Sequence, residues 1–140
     1  MSFVDTNVLV YSTAAGAPFR AQARTALARL AATGPIAVSR QVLREYLAVT
    51  TRPQAWANAL TLAEATADID TFGRRFTIPE DGPPVWDQLV ALSRRFSFGG
   101  RQVHDANIVA TMLAHGETRL LTFNDVDFRR FNSLIEIIVP

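Results

Sequence analysis

Three carboxylates in this 140-residue chain fall where their elements otherwise turn apolar side chains toward packing. Asp5 comes directly after Phe3-Val4, at the carboxyl end of a short apolar run that reads as a strand. In open α/β sheets that edge is where ligands bind. Glu45 follows Val42 by three residues and precedes Val49 by four, so a helix places all three on one face. Asp105 precedes Val109 by four residues and Met112 by seven, and heads an apolar stripe in the same way. Taking a lone carboxylate out of water costs several kcal/mol unless it is paired or ligates a metal. Acids gathered together repel, and a hard divalent cation compensates that repulsion best.

A fourth acidic segment, Thr122-Phe123-Asn124-Asp125-Val126-Asp127-Phe128, follows Leu120-Leu121, again at the end of a strand-like run. Thr122 can donate a hydroxyl hydrogen bond to a neighbouring carboxylate. Asn124, Asp125 and Asp127 are candidate metal or water ligands. Taken singly, each feature has an ordinary structural reading. Asp5 reads as a turn residue and Glu45 as a surface acid paired with Arg44 or Arg52. Asp105 reads as a first-turn acid favoured by the helix dipole, and the last segment as a turn and helix start. The conjunction of all four argues for a shared site.

Composition narrows the chemistry. Cysteine is absent, which excludes disulfides, thiolate zinc sites and Cys nucleophiles. Oxygen-only ligands point to Mg2+ or Mn2+ rather than zinc. All 14 basic residues are Arg, so Lys-dependent phosphate loops and Schiff bases are excluded. Net charge is only +1, and no global field attracts nucleic acid or a membrane surface. Counter-charge for a phosphate must therefore be local. Arg40, Arg44 and Arg101 flank the acids, and an Arg fork matches a phosphate bidentately. Each would otherwise be a solvated surface residue. No apolar run is long enough for a membrane span. The amino terminus has no basic region ahead of its apolar run, so a cytoplasmic location is expected.

The elements that must position these residues follow from pattern. Phe3-Val4, Ile36 to Val38, Leu120-Leu121 and Ile135 to Val139 read as short buried strands. Helices are expected from Asn7 to Thr13, Phe19 to Ala32, Arg40 to Thr50, about Leu62 to Gly73, Val85 to Phe96 and His104 to His115. Ser39 can cap the third helix, Thr61 with Glu64 forms a capping-box pattern, and Gly116 ends the last helix. Phe76 to Ile78 reads as a short strand or an extended link. Strands alternating with helices imply one α/β domain over residues 1–140, a central parallel sheet flanked by helices.

The motifs Asp5-Thr6-Asn7, Arg44-Glu45-Tyr46-Leu47, His104-Asp105-Ala106-Asn107 and Leu121-Thr122-Phe123-Asn124 with Asp127-Phe128 resemble, in order, the acidic motifs of PIN-domain nucleases. Size and wording look most like the VapC-type toxins of toxin–antitoxin pairs. The resemblance implies a Mg2+- or Mn2+-dependent endoribonuclease with an acidic cleft at the strand ends. It implies Asp5, Glu45 and Asp105 as metal and catalytic acids, with Asp127 as the fourth. Where many relatives place an acid, this chain has Asn124, and Asp125 is the other candidate for the fourth position. On this reading Asn7 orients a carboxylate or water, and Thr122, Asn124, Arg40, Arg44 and Arg101 serve the substrate. His104 is given no catalytic role. The resemblance also implies an RNA substrate, a VapB-like antitoxin, a homodimer and no membrane partner.

Rival readings are a structure-specific DNA nuclease, a catalytically weakened PIN-like RNA-binding module and a receiver-like signalling module. The first usually needs an additional helical arch, and the last needs a Lys after a late strand. Trp56, Trp86, Phe96 and Phe98 are more large apolar groups than a core of this size needs, and are expected in part at a partner interface.

Overall fold

The computed structural model describes residues 1–140. Its elements run β1 (Ser2–Val4), α1 (Thr6–Thr13), α2 (Arg20–Thr33), β2 (Ile36–Ala37), α3 (Arg40–Thr50), α4 (Leu62–Arg75), α5 (Pro83–Arg95), α6 (Gln102–Ala114), β3 (Arg119–Leu121), α7 (Asp125–Phe128), a 3-10 turn (Arg129–Phe131) and β4 (Glu136–Ile138). The four strands form one parallel sheet in the order β2-β1-β3-β4, flanked by the seven α-helices.

A sheet covered by helices needs strands that are apolar on both sides, and these are. Phe3, Val4, Ile36, Ala37, Leu120 and Leu121 are all buried. Phe3 pairs with Ala37 on one side and with Leu120 on the other, so β1 and β3 are central. Phe76 to Ile78 is an extended link whose Thr77 alone bridges to Ala37 in parallel.

Local signals set several helix starts. The Ser39 side chain accepts from the Val42 amide at 3.2 Å and opens α3. Thr61 and Glu64 close a full capping box at α4, with reciprocal bonds of 3.1 Å. Removing that hydroxyl by Thr61→Ala is expected to cost about 1 kcal/mol, read as a lower urea midpoint with unchanged slope. An unchanged midpoint would show the cap to be worth nothing here. The α5 helix starts two residues earlier than its apolar pattern, because Pro83 and Pro84 fit a first turn that needs no amide donors. Gly116 ends α6 at φ +71°, a left-handed conformation that suits glycine.

Tyr46 fills the space between α3 and its neighbours. Its ring is fully buried, and its hydroxyl donates to Asp68 at 2.6 Å while lying 2.9 Å from Thr13 Oγ1. Burial and the Asp68 carboxylate raise its pKa above the ordinary phenol range.

The aromatic excess divides. Phe96 and Phe98 pack on buried Phe131, so they serve the core. Trp56 lies against Tyr11. Trp86 is 64% exposed on α5. No helix is long and apolar enough to cross a membrane.

Candidate active site

The site begins where β1 stops. The Asp5 amide donates to the Leu121 carbonyl at 3.0 Å, which continues the β1–β3 ladder by one residue. The chain then turns into α1, with Asp5 as its cap. Asp5 Oδ1 accepts from the Thr6 amide at 2.7 Å. Its Oδ2 accepts from Thr122 Oγ1 at 2.7 Å and from Asn7 Nδ2 at 3.1 Å. Thr122 sits at the matching end of β3, so the two central strands deliver a carboxylate and the hydroxyl that orients it. Asn7 ties the same corner together by accepting from the Phe123 amide at 3.2 Å.

Glu45 comes from α3. Its Oε2 accepts from Thr6 Oγ1 at 2.8 Å and its Oε1 from Gln41 Nε2 at 2.9 Å. Gln41 lies one turn earlier on the same helix face and is buried. It also donates to the His104 carbonyl at 2.8 Å and accepts from Asn107 Nδ2 at 2.8 Å. A single amide therefore fastens Glu45 and joins α3 to the first turns of α6. Asp105 lies in that first turn of α6.

The fourth segment separates its two acids. Asp127 faces the cleft and accepts from Asn124 Nδ2. Asp125 opens α7 without capping it, and its side chain pairs with Arg129 at 2.6 Å instead. Positions two apart on a helix face in different directions, which is why one acid reaches the cleft and the other does not.

One cleft of about 820 Å3 is lined by Asp5, Glu45, Asp105 and Asp127 together with Asn7, Asn124 and Arg101. Thr122 lies beneath it, fully buried behind Asp5. Two expected residues are elsewhere. Arg40 turns away to Glu80, making bonds of 3.2 and 3.3 Å. Arg44 is exposed and does not line the cleft. Arg52 lines the cleft in their stead, although from sequence it reads only as a pairing partner for Glu45.

The clustered acids perturb one another. Burial pushes the Asp105 carboxyl up to about 6, and the charges of Asp127, Asp5 and Glu45 add to it while Arg130 opposes. Burial also raises Asp5, with Glu45 adding and the bonds from Thr122, Thr6 and Asn7 opposing. Such a set of oxygen donors with uncompensated negative charge suits a hard divalent cation. No three acidic side chains are grouped closely enough to hold one ion.

A PIN domain family model matches residues 2–134. The chain belongs to the PIN domain family. Ribonuclease VapC24 of Mycobacterium tuberculosis is 28% identical over 133 residues, which cover 94% of this chain and 91% of that protein. Among solved structures, VapBC2 from Rickettsia felis, bound to a DNA fragment from its promoter, superposes with a TM-score of 0.69 at 22% identity, covering 99% of this chain and 97% of that one. VapC20 of Mycobacterium tuberculosis, described as a Sarcin-Ricin loop cleaving toxin, gives 0.63 at 20% identity over 86% of this chain and 87% of its own. These superpositions carry the fold: a PIN domain along nearly its whole length.

Within this PIN domain, Thr6, Gln41 and Asn107 support the acids; sequence alone assigns them no role, although Thr6 and Asn107 stand inside the acidic motifs. The one available signal is Gln41, polar and four residues before Glu45 on an otherwise apolar helix face.

Proposed function

We propose that the chain is a metal-dependent endoribonuclease, the toxin of a type II toxin–antitoxin pair. The observation that carries this reading is the convergence of Asp5, Glu45, Asp105 and Asp127, from four separated segments, on one cleft. The similarity to Ribonuclease VapC24 supports RNA as the substrate. The fold shared with VapBC complexes supports a VapB-like antitoxin as partner. A homodimer belongs to the same reading.

Asp5, Asp105 and Asp127 would hold Mg2+ or Mn2+. When bound, such an ion would supply Lewis acidity toward a scissile phosphate and a water of lowered pKa. Glu45, fixed through both oxygens, orients the attacking water. Asn7 and Thr122 keep Asp5 in place. Arg52 and Arg101 offer forks to the phosphates on either side. Asn124 leaves the carboxylate count intact, because Asp127 lies beside it in the cleft.

The test uses pure protein with Mn2+ or EDTA, on RNA and on DNA of the same sequence. RNA alone should be cut, and only with the metal. Cleavage in EDTA would remove the metal, and preference for DNA would favour the structure-specific DNA nuclease. Asp127→Asn should lower RNA cleavage by about 10- to 100-fold, while Asp125→Asn changes it little. The reverse ranking would move the fourth ligand to Asp125.

A further inference from the structure

The same cleft has a second chemistry that the acids do not use. Tyr11, on α1, and Trp56, in the loop after α3, line it together with the four carboxylates. Neither ring belongs to the fully buried core. They are nonetheless held firmly. Tyr11 meets Trp56 edge-on at 6.0 Å and 72°, and Phe123 at 5.2 Å and 68°. Phe19 stacks on Phe123 at 5.6 Å and 29°, and lies 6.2 Å from Tyr11.

Two backbone features fix this wall. Phe19 is the only residue other than glycine with positive φ, at +58°, a conformation L side chains rarely adopt. It is also 54% exposed, so burial does not explain it. Strain of this kind persists where surrounding structure enforces it, often beside a ligand. Gly16 lies so close to the Trp56 loop that a Cβ there would sit 2.5 Å from the Trp56 carbonyl oxygen. The α1–α2 turn and the Trp56 loop are therefore seated against each other.

We propose that Tyr11 and Trp56 form a stacking subsite for an unpaired RNA base adjoining the scissile phosphate. This rests on the nuclease reading above and deepens it. Arg52 and Arg101, with the cation the acids would hold, suit a phosphodiester, and the rings beside them suit the base that the same strand carries. Aromatic faces take any base, because every base has a π-face. A base locked in a duplex cannot be splayed onto such a ring, so the cleft selects loops and single strands. Phe19, Phe123 and Gly16 are positioning residues for that wall.

The sequence has two tryptophans, and Trp86, exposed on α5, does not line the cleft. Trp86→Phe thus leaves Trp56 as the only indole reporter. The probes are short single-stranded RNAs of randomised sequence, intact or with one abasic nucleotide at a fixed position. In the Trp86→Phe background, further bearing Asp105→Asn to prevent cleavage, intact RNA should quench Trp56 fluorescence and RNA abasic at the stacking position should not. In the Trp86→Phe enzyme with Mn2+, an abasic nucleotide at one position beside the cut should lower kcat/KM by about 10-fold or more. Adding Trp56→Leu should erase that ratio between intact and abasic RNA, and Trp56→Phe should restore it. The ratio compares two substrates on one variant, so a partial loss of folded protein does not move it.

Equal cleavage of intact and abasic RNA at every position overturns the subsite, as does a ratio that survives Trp56→Leu. Fluorescence that answers only to the antitoxin, not to RNA, makes the wall a protein interface instead. If no RNA is cut with Mn2+, the nuclease reading itself fails and the subsite falls with it.

Discussion

Asp105→Asn is expected to lose RNA cleavage by at least about 100-fold, and at the same time to make the metal-free protein more stable. The two effects have one cause. Asp105 is partly buried among three other carboxylates, so desolvation first and their charges second hold its pKa at about 6 against an ordinary 3.8. A shift of that size corresponds to roughly 3 kcal/mol, and solvent screening at this partly exposed group reduces it to about 1–2 kcal/mol. The raised pKa sets the sign. The folded state holds the proton more tightly than the unfolded chain, so the metal-free protein is relatively most stable below the unfolded value. That advantage is lost as pH rises through the folded value of about 6. Above it the ionised wild type bears the desolvation and the repulsion in full, and the amide variant does not. Urea unfolding in EDTA should therefore favour the variant at pH 7.5, with the gap closing toward pH 4. Saturating Mn2+ should stabilise wild type by about 2–3 kcal/mol at 100 times Kd, and the variant much less. If the variant is the weaker protein in EDTA and both gain equally from Mn2+, Asp105 is a structural helix-start residue and not a ligand.

Gln41→Met should be the most damaging single change outside the acids. Gln41 is only 6% exposed, and its amide serves Glu45, the His104 carbonyl and Asn107 together. Methionine matches its length and flexibility but supplies neither donor nor acceptor. One Glu45 oxygen and the Asn107 amide then lose their partners where Gln41 bridges α3 to α6. Stranding such groups, one of them charged, is expected to cost about 2–4 kcal/mol. Cleavage should fall as well, since Glu45 keeps only its bond from Thr6. Gln41→Glu gives a second reading. It retains an acceptor for Asn107 but sets a negative charge against Glu45, so its deficit should shrink on acidification. A wild-type urea midpoint for Gln41→Met would show that the amide contributes nothing to the fold.

The elements legible in the sequence are those whose signal is local. Ser39 and Thr61 cap α3 and α4 with their own side chains, and the apolar runs of β1 and β3 need no other information. The three acids on apolar faces were legible for the same reason, because periodicity alone shows which way they point. Orientation set by a distant partner is not legible. Arg40 lies beside the acids in sequence, but Glu80, forty residues on, takes its guanidinium. Asp125 and Asp127 differ only in the rotation of a four-residue helix, which the Arg129 pairing helps to fix. Gln41 is one more polar residue until α6 brings His104 and Asn107 to it. The aromatic wall follows the same rule, since the turn at Gly16 meets the Trp56 loop only in the folded chain.

The bond between Thr122 and Asp5 spans 117 residues, and has a consequence for the order in which the protein is made. A ribosome delivers β1 long before β3, yet β1 pairs with β3 at the centre of the sheet. Parallel pairing across such a separation is among the slower steps of folding. A nascent chain stopped before Arg119 already carries Asp5, Glu45 and Asp105. It lacks the hydroxyl that seats Asp5, the strand that aligns it and the acid at Asp127. The cleft is therefore completed only when β3 and the segment from Thr122 to Asp127 have joined the sheet. On the nuclease reading proposed above, the chain stays inert until that segment has been made and docked.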